Sequence, residues 1–180
     1  MSILFSPNRQ SIRMPEYDYT SQGLYYVTMC TQDRLILFGD VKDQEIRLSP
    51  AGAMVQMAWQ GIAMYNSRIS LDEFIVMPNH LHGIIVMGPH PLGGPDRHCG
   101  QGRCPAPTIS LPSIVRRFKS WTTNQYQKAI NDKGWVPFRK RLWQRNYFEH
   151  IVRDDDDLNR IREYIRNNPE NWETDPENQK

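Results

Sequence analysis

Apolar positions repeat along this chain with two periods, close to 2 in some segments and close to 3.6 in others, and the switches between them mark its elements. Beyond a polar, proline-containing leader, Leu24 to Thr31 (LYYVTMCT) is rich in aromatic and β-branched residues and reads as a first strand. Its continuation, RLILFGDV, is read as extending a ribbon. Ser49-Pro50 then supplies an N-cap and a first-turn proline, and Met54, Val55, Ala58, Trp59, Ile62 and Tyr65 recur at helical spacing. A helix ending near Asn66 is expected. Next, DEFIVMPNHLHGIIVM holds two apolar β-type runs on either side of Pro78-Asn79, the pattern of a hairpin. A second helix is expected from Leu111, capped by Ser110, with Ile114, Val115, Phe118 and Trp121 on one side. Trp143 to Val152 (WQRNYFEHIV) reads as another strand. The last element is a helix with Asp154 as N-cap, acidic residues in its first turn where the dipole favours them, Leu158, Ile161 and Ile165 as its core stripe, and Pro169 as its stop.

The order strand, helix, hairpin, helix, strand, helix implies an α+β sandwich, an antiparallel sheet with helices packed on it. At 180 residues the chain suits one domain with a real core. We expect a leader at 1–23, a single domain at 24–172 and a polar tail at 173–180. Between residues 88 and 107 the composition changes to GPHPLGGPDRHCGQGRCPAP, about half glycine and proline, and a mobile loop is expected because burial there cannot offset ordering entropy. No apolar run approaches the roughly 20 residues that span a bilayer, and the start MSILFSPNRQ lacks a secretory pattern, so a cytoplasmic protein with no membrane partner is expected. Cys30, Cys99 and Cys104 show no disulfide-framework spacing and fit reduced thiols.

A formal net charge of +2 is too small to announce a nucleic-acid partner, but the distribution says more. Bases gather in Arg116, Arg117 and Lys119 and again in Arg139, Lys140, Arg141 and Arg145, with Phe118, Trp121, Phe138, Trp143 and Tyr147 interleaved. That combination lets a groove track phosphates while rings such as Trp121 or Trp143 stack on bases. The alternative for either cluster is a solvated face with core aromatics behind it.

His80 and His82 lie one residue apart in a predicted strand, so both imidazoles leave the same face of the sheet. Two adjacent nitrogens form half of a divalent-metal site with positions left for water or substrate oxygens. Hydrogen-bonded or surface histidines are the plain alternative. Tyr164 and Asn168 are four residues apart on the final helix, hence one above the other. Tyrosine is a poor nucleophile at its ordinary pKa near 10 and needs a base or cation to assist it. The competing reading has Tyr164 edging the apolar stripe and Asn168 fraying the helix before Pro169. His150, alternating with Phe148, is a candidate for the surroundings of the same site. Tyr147 is an alternative nucleophile without an amide or acid following at helical spacing. His98, Cys99 and Cys104 resemble a fragment of a zinc site, with a spacing that fits no standard knuckle. No Walker-type phosphate loop and no serine or cysteine hydrolase signature is present.

Taken in order, FIVMPNHLHGIIVM, FKSWTT, WQRNYFEHIVR and REYIRNNPENW resemble the REP-associated tyrosine transposases and the wider single-tyrosine HUH transposases, over about Tyr25 to Trp172. The resemblance implies a ferredoxin-like antiparallel sheet with flanking helices. It implies Mg²⁺ or Mn²⁺ on His80 and His82, Tyr164 as nucleophile and Asn168 as a third ligand. The implied activity is metal-dependent cleavage and strand transfer of single-stranded DNA near hairpins through a 5′-phosphotyrosine; a hairpin-binding protein with weak or lost cleavage is the alternative. Relatives include monomers and homodimers, and either state is open for this chain. The loop at 88–107 is longer than the simplest members carry, and no substrate-binding extension is expected after Trp172.

Overall fold

The run read as the first strand pairs along both of its edges. In the computed structural model, which describes residues 18–64, 66–88 and 109–178, β1 (Gly23–Cys30) lies antiparallel to β5 (His80–Met87) on one side and to β6 (Phe148–Ile151) on the other. β4 (Ile69–Met77) joins β5 through the Pro78-Asn79 turn, giving a four-stranded sheet in the order β4-β5-β1-β6. α1 (Pro50–Gly61) and α2 (Leu111–Lys133) both pack on one face of this sheet, so the order β1-α1-β4-β5-α2-β6 traces the ferredoxin-like arrangement. α3 (Asp155–Arg166) covers the other face.

Local chemistry sets the helix ends much as the pattern implied. The Ser49 hydroxyl accepts from Gly52 N at 3.1 Å with Pro50 in the first turn, Ser110 and Ser113 form a reciprocal capping box on α2, and the Asp154 carboxylate accepts from Asp157 N at 2.7 Å. Alternation of side chains sorts the strands into two surfaces. Tyr25, Val27 and Met29 of β1 and Leu81, Ile85 and Met87 of β5 enter the large core beneath α1 and α2, together with Trp59, Phe118 and Trp143. Tyr26 and Ile84 face the other way and form a smaller cluster with Leu158, Ile161 and Ile165 of α3. Gly83 separates His82 from Ile84 and lies under Trp59; a Cβ there would stand 2.4 Å from the indole, so only glycine admits the ring so close to the strand.

Four elements differ from the sequence reading. RLILFGDV does not continue β1: residues 32–34 form a 3-10 turn with Asp33 and Arg34 at positive φ, and Leu37 and Phe38 donate to the Pro78 carbonyl. Only Gly39–Lys42 (β2) is extended, and it pairs with β3 (Glu45–Leu48), a strand the pattern did not announce. The strand expected from Trp143 starts at Phe148, because the carbonyls of Gln144 and Asn146 accept from the Lys119 ammonium at 2.9 and 3.0 Å. The stretch read as a polar tail adds a 3-10 turn (Trp172–Thr174) and sets Asp175 in the interior, 3% exposed. Residues 89–108, with His98, Cys99 and Cys104, lie outside the described residues. No helix among the described residues is long and apolar enough to cross a membrane.

Candidate active site

The expectation that His80 and His82 share a face holds, and the face is the one covered by α3. Their rings stand 4.4 Å apart, both fully buried. Asn79, in the hairpin turn, donates its amide to the Glu177 carbonyl at 2.9 Å, which orients its own oxygen toward His80 Nδ1 at 2.7 Å. Nδ1 therefore carries the proton, and the lone pair is on Nε2. Around His82, the hydroxyls of Tyr26 and Thr28 both lie 2.8 Å from Nδ1, while the Thr28 hydroxyl is directed to the Tyr26 oxygen at 3.1 Å. In the Nδ1–H tautomer, Thr28 accepts from His82 Nδ1 and Nε2 is the free acceptor, the form in which an imidazole ligates a cation.

His80 Nε2, His82 Nε2 and Asn168 Oδ1 are all buried without a hydrogen-bond partner among the described residues. Asp175 brings a carboxylate oxygen to 3.9 Å from His80 Nε2, held by the Asn168 amide at 2.8 Å. Ligand atoms of His80, His82 and Asp175 all lie within 4.8 Å of one another. Burial, and then the Arg34 charge, push the His80 pKa down to about 3 against an upward pull from Asn168. Burial, and then His80, hold His82 well below its ordinary value despite Asp175. Both rings are thus neutral at pH 7. Neutral imidazoles beside a carboxylate and an amide oxygen are a cluster of ligand atoms that a cation completes.

Tyr164 is half-buried at the margin of the α3 stripe, its ring 5.3 Å from that of His82 and edge-on to Tyr26 at 6.4 Å. Trp172 tilts over His80 at 6.0 Å, and Glu177 ties the following segment down through Arg34 and Cys30. Burial and then Glu177 raise the Cys30 thiol above its ordinary range, so it is inert as a nucleophile.

A family model for IS200-like transposases matches residues 104–168, a span that ends on Asn168 and includes Tyr164. Over this span the chain is similar to the IS200-like transposases. The chain is 38% identical over 183 residues to an uncharacterised Haemophilus influenzae protein, covering 93% of this chain and 92% of that one. It is 24% identical over 155 residues to a Haemophilus influenzae protein described as a REP-associated tyrosine transposase, covering 84% of this chain and 73% of the relative. The solved structure of a REP-associated tyrosine transposase bound to a REP hairpin shares its fold, with a TM-score of 0.57 and 19% identity over 88% of this chain and 74% of the other.

Of the candidate residues in the sequence, His80, His82, Tyr164 and Asn168 converge. The basic and aromatic candidates divide. Arg116 and Arg117 are exposed on α2 and Trp121 is 46% exposed, on the helix that covers the opposite face of the sheet. Arg139, Lys140 and Arg141 are exposed and, with Gln32 and Asp33, line an open cleft; Arg145 is exposed nearby in sequence. That cleft flanks the sheet end that carries His80, since Cys30 pairs with His80 and Gln32 N donates to the Leu142 carbonyl.

Two expectations fail. Trp143 is no stacking platform: it is 3% exposed, packed between Phe38 and Phe118, with Nε1 donating to Thr122 at 2.8 Å. Lys119 is no phosphate contact, because its ammonium staples α2 to residues 144 and 146, where burial lowers its pKa to about 8. Tyr147 belongs to the large core. His150 faces the α3 side but pairs with Asp157 at 2.8 Å. Asp175 was missed, since nothing in its local sequence sets it apart from the other acids after Pro169.

Proposed function

We propose that this transposase cleaves and rejoins single-stranded DNA at hairpins, with Tyr164 as nucleophile and a divalent cation, Mg²⁺ or Mn²⁺, held by His80, His82 and Asp175. The observation that carries the reading is the set of buried, donor-less acceptors in one pocket, His80 Nε2, His82 Nε2 and Asn168 Oδ1, with the Tyr164 ring against His82. Two imidazoles, a carboxylate and an available amide oxygen suit a divalent ion of this hardness, and the two Nδ1 hydrogen bonds fix the ring orientations. When bound, such an ion supplies Lewis-acid polarisation of a phosphate oxygen and eases ionisation of a neighbouring hydroxyl.

The chain's own residues supply position. The Tyr164 oxygen attacks phosphorus and loses its proton, the bond to the 3′ oxygen breaks, and that oxygen leaves as a hydroxyl after taking up a proton. A 5′-phosphotyrosine remains, so the phosphodiester energy is kept for a second transfer. Tyr26, buried and raised well above its ordinary pKa by burial and then by Tyr164, stays a neutral phenol beside His82 and does not compete as nucleophile. In this reading Arg139, Lys140, Arg141 and Arg145 follow the backbone entering the site, and Arg116, Arg117 and Trp121 hold a more distant part of the DNA. A hairpin substrate is supported by the related transposase solved with a REP hairpin. A protein handling chromosomal single strands works in the cytoplasm.

The test is incubation with single-stranded hairpin oligonucleotides and Mn²⁺, resolved on denaturing gels. A protein–DNA adduct that disappears with Tyr164→Phe is the expected result. Tight hairpin binding without an adduct makes the chain a binding protein, and cleavage that survives Tyr164→Phe assigns the attack to water.

A further inference from the structure

Hydrophobic burial is non-directional, and α3 buries only a narrow apolar stripe, Leu158, Ile161 and Ile165, against Tyr26 and Ile84. Such a stripe holds a helix down without fixing its rotation or its sliding along the sheet. Polar contacts at both edges of the sheet supply what is missing. Near the N-terminal end of α3, Asp157 accepts from His150 of edge strand β6. Toward the C-terminal end, Arg162 forms a two-point contact with Asp72 of the opposite edge strand β4, Nε to Oδ1 at 2.8 Å and Nη2 to Oδ2 at 2.6 Å. One turn on, Arg166 donates to Glu73, its Nε at 2.9 Å from Oε1 and its Nη2 on the same oxygen.

Asp72 and Glu73 are consecutive, and in a regular strand they would point to opposite faces. The ladder between β4 and β5 breaks at this place: Leu71 pairs with Ile85, yet the next partner of β5, Gly83, is Phe74. Two residues of β4 thus stand against Ile84 alone, a β-bulge, and bulges re-aim side chains. Leu71 and Phe74 keep their places against the large core while both acids reach α3. Their partners, Arg162 and Arg166, are four apart on α3, hence on one side of it, and Tyr164 falls between them in sequence. The Arg162 and Asp72 side chains are 23% and 10% exposed, which limits solvent screening of this pair.

We infer that the bulge acids Asp72 and Glu73 are positioning residues that hold α3 through Arg162 and Arg166 in the one rotation that sets Tyr164 against His82. This rests on Tyr164 being the nucleophile only for its effect on the reaction; the placement of the ring is testable without it. The pair Asp72→Asn and Glu73→Gln keeps side-chain shape, removes both charges and ends the two-oxygen contact with Arg162.

The experiment uses the full chain with 3-fluorotyrosine at position 164. In the parent protein the fluorine resonance is displaced from that of free fluorotyrosine by the His82 and Tyr26 rings. In the double variant, with thermal unfolding still cooperative and Mn²⁺ affinity within two-fold, it moves toward the free position. With a cleavable hairpin, the adduct rate at saturating DNA falls at least ten-fold while the hairpin Kd changes less than three-fold. Exchanging the partners, Asp72→Arg with Arg162→Asp in one chain, restores both signals at least in part. An unchanged fluorine signal in the double variant overturns the inference, as does an adduct rate within two-fold of the parent. If the parent forms no adduct, the proposed reaction fails while the fluorine measurement still decides the clamp. If the double variant does not fold, Arg166→Gln with Glu73→Gln is measured in its place under the same criteria.

Discussion

The two faces of the central sheet are built on opposite terms. Under α1 and α2 lies a broad apolar core, in which the Phe118 ring meets those of both Trp59 and Trp143. Under α3 lie a small apolar cluster and a pocket of acceptors with no donors. β1 and β5 serve both through strict alternation, so Tyr25 and Leu81 stabilise one side while Tyr26 and His82 equip the other. The difference teaches that a site of unpartnered buried acceptors persists because the sheet beneath it is secured from behind. Burying unpartnered acceptors costs stability, and the large core offsets that cost.

If the division is right, Tyr164→Phe removes the covalent DNA adduct to background while thermal unfolding shifts by about 1 kcal/mol or less, since the ring of this half-buried side chain stays; denaturing gels and calorimetry on the same samples check both halves. On the other face, Trp59→Ala should destabilise by about 3–5 kcal/mol, measured by urea unfolding, because it empties a fully buried site over Gly83. A loss below about 1 kcal/mol would break the comparison.

Acid titration separates the faces without mutation. His80 and His82 stay neutral in the folded chain, with His80 at about 3, whereas histidines of the unfolded chain take up protons below about pH 6.5. The unfolded state then binds more protons, so the stability of metal-free protein is full above about pH 6.5 and falls as pH drops toward 3, by on the order of 4 kcal/mol for His80 alone. A flat profile from pH 7 to 4 would show the rings to be solvated. At neutral pH, Mn²⁺ at about 100 times its Kd should raise stability by about 2.7 kcal/mol, and His82→Ala should abolish the gain. The smallest effect belongs to the exposed side of α2: Trp121→Ala should weaken hairpin binding by about 1–3 kcal/mol and leave folding unchanged. Trp143→Ala, by contrast, should act on folding.

How much of this was written in the chain depends on the range of the signal. The caps at Ser49, Ser110 and Asp154, the hairpin around Pro78-Asn79 and the shared face of His80 and His82 follow from contacts within a few residues, and period and capping chemistry report those directly. The four-motif pattern likewise reached the family. The stapling of Lys119 to residues 144 and 146, the burial of Trp143, the bulge that turns both Asp72 and Glu73 toward α3, and the arrival of Asp175 beside His80 join residues far apart in sequence. An exposed and a buried tryptophan look alike along a helix or loop, and an acid in a polar stretch looks like its neighbours. Which of them enters the interior is decided by the whole fold, because burial is a property of what packs against a residue from elsewhere in the chain.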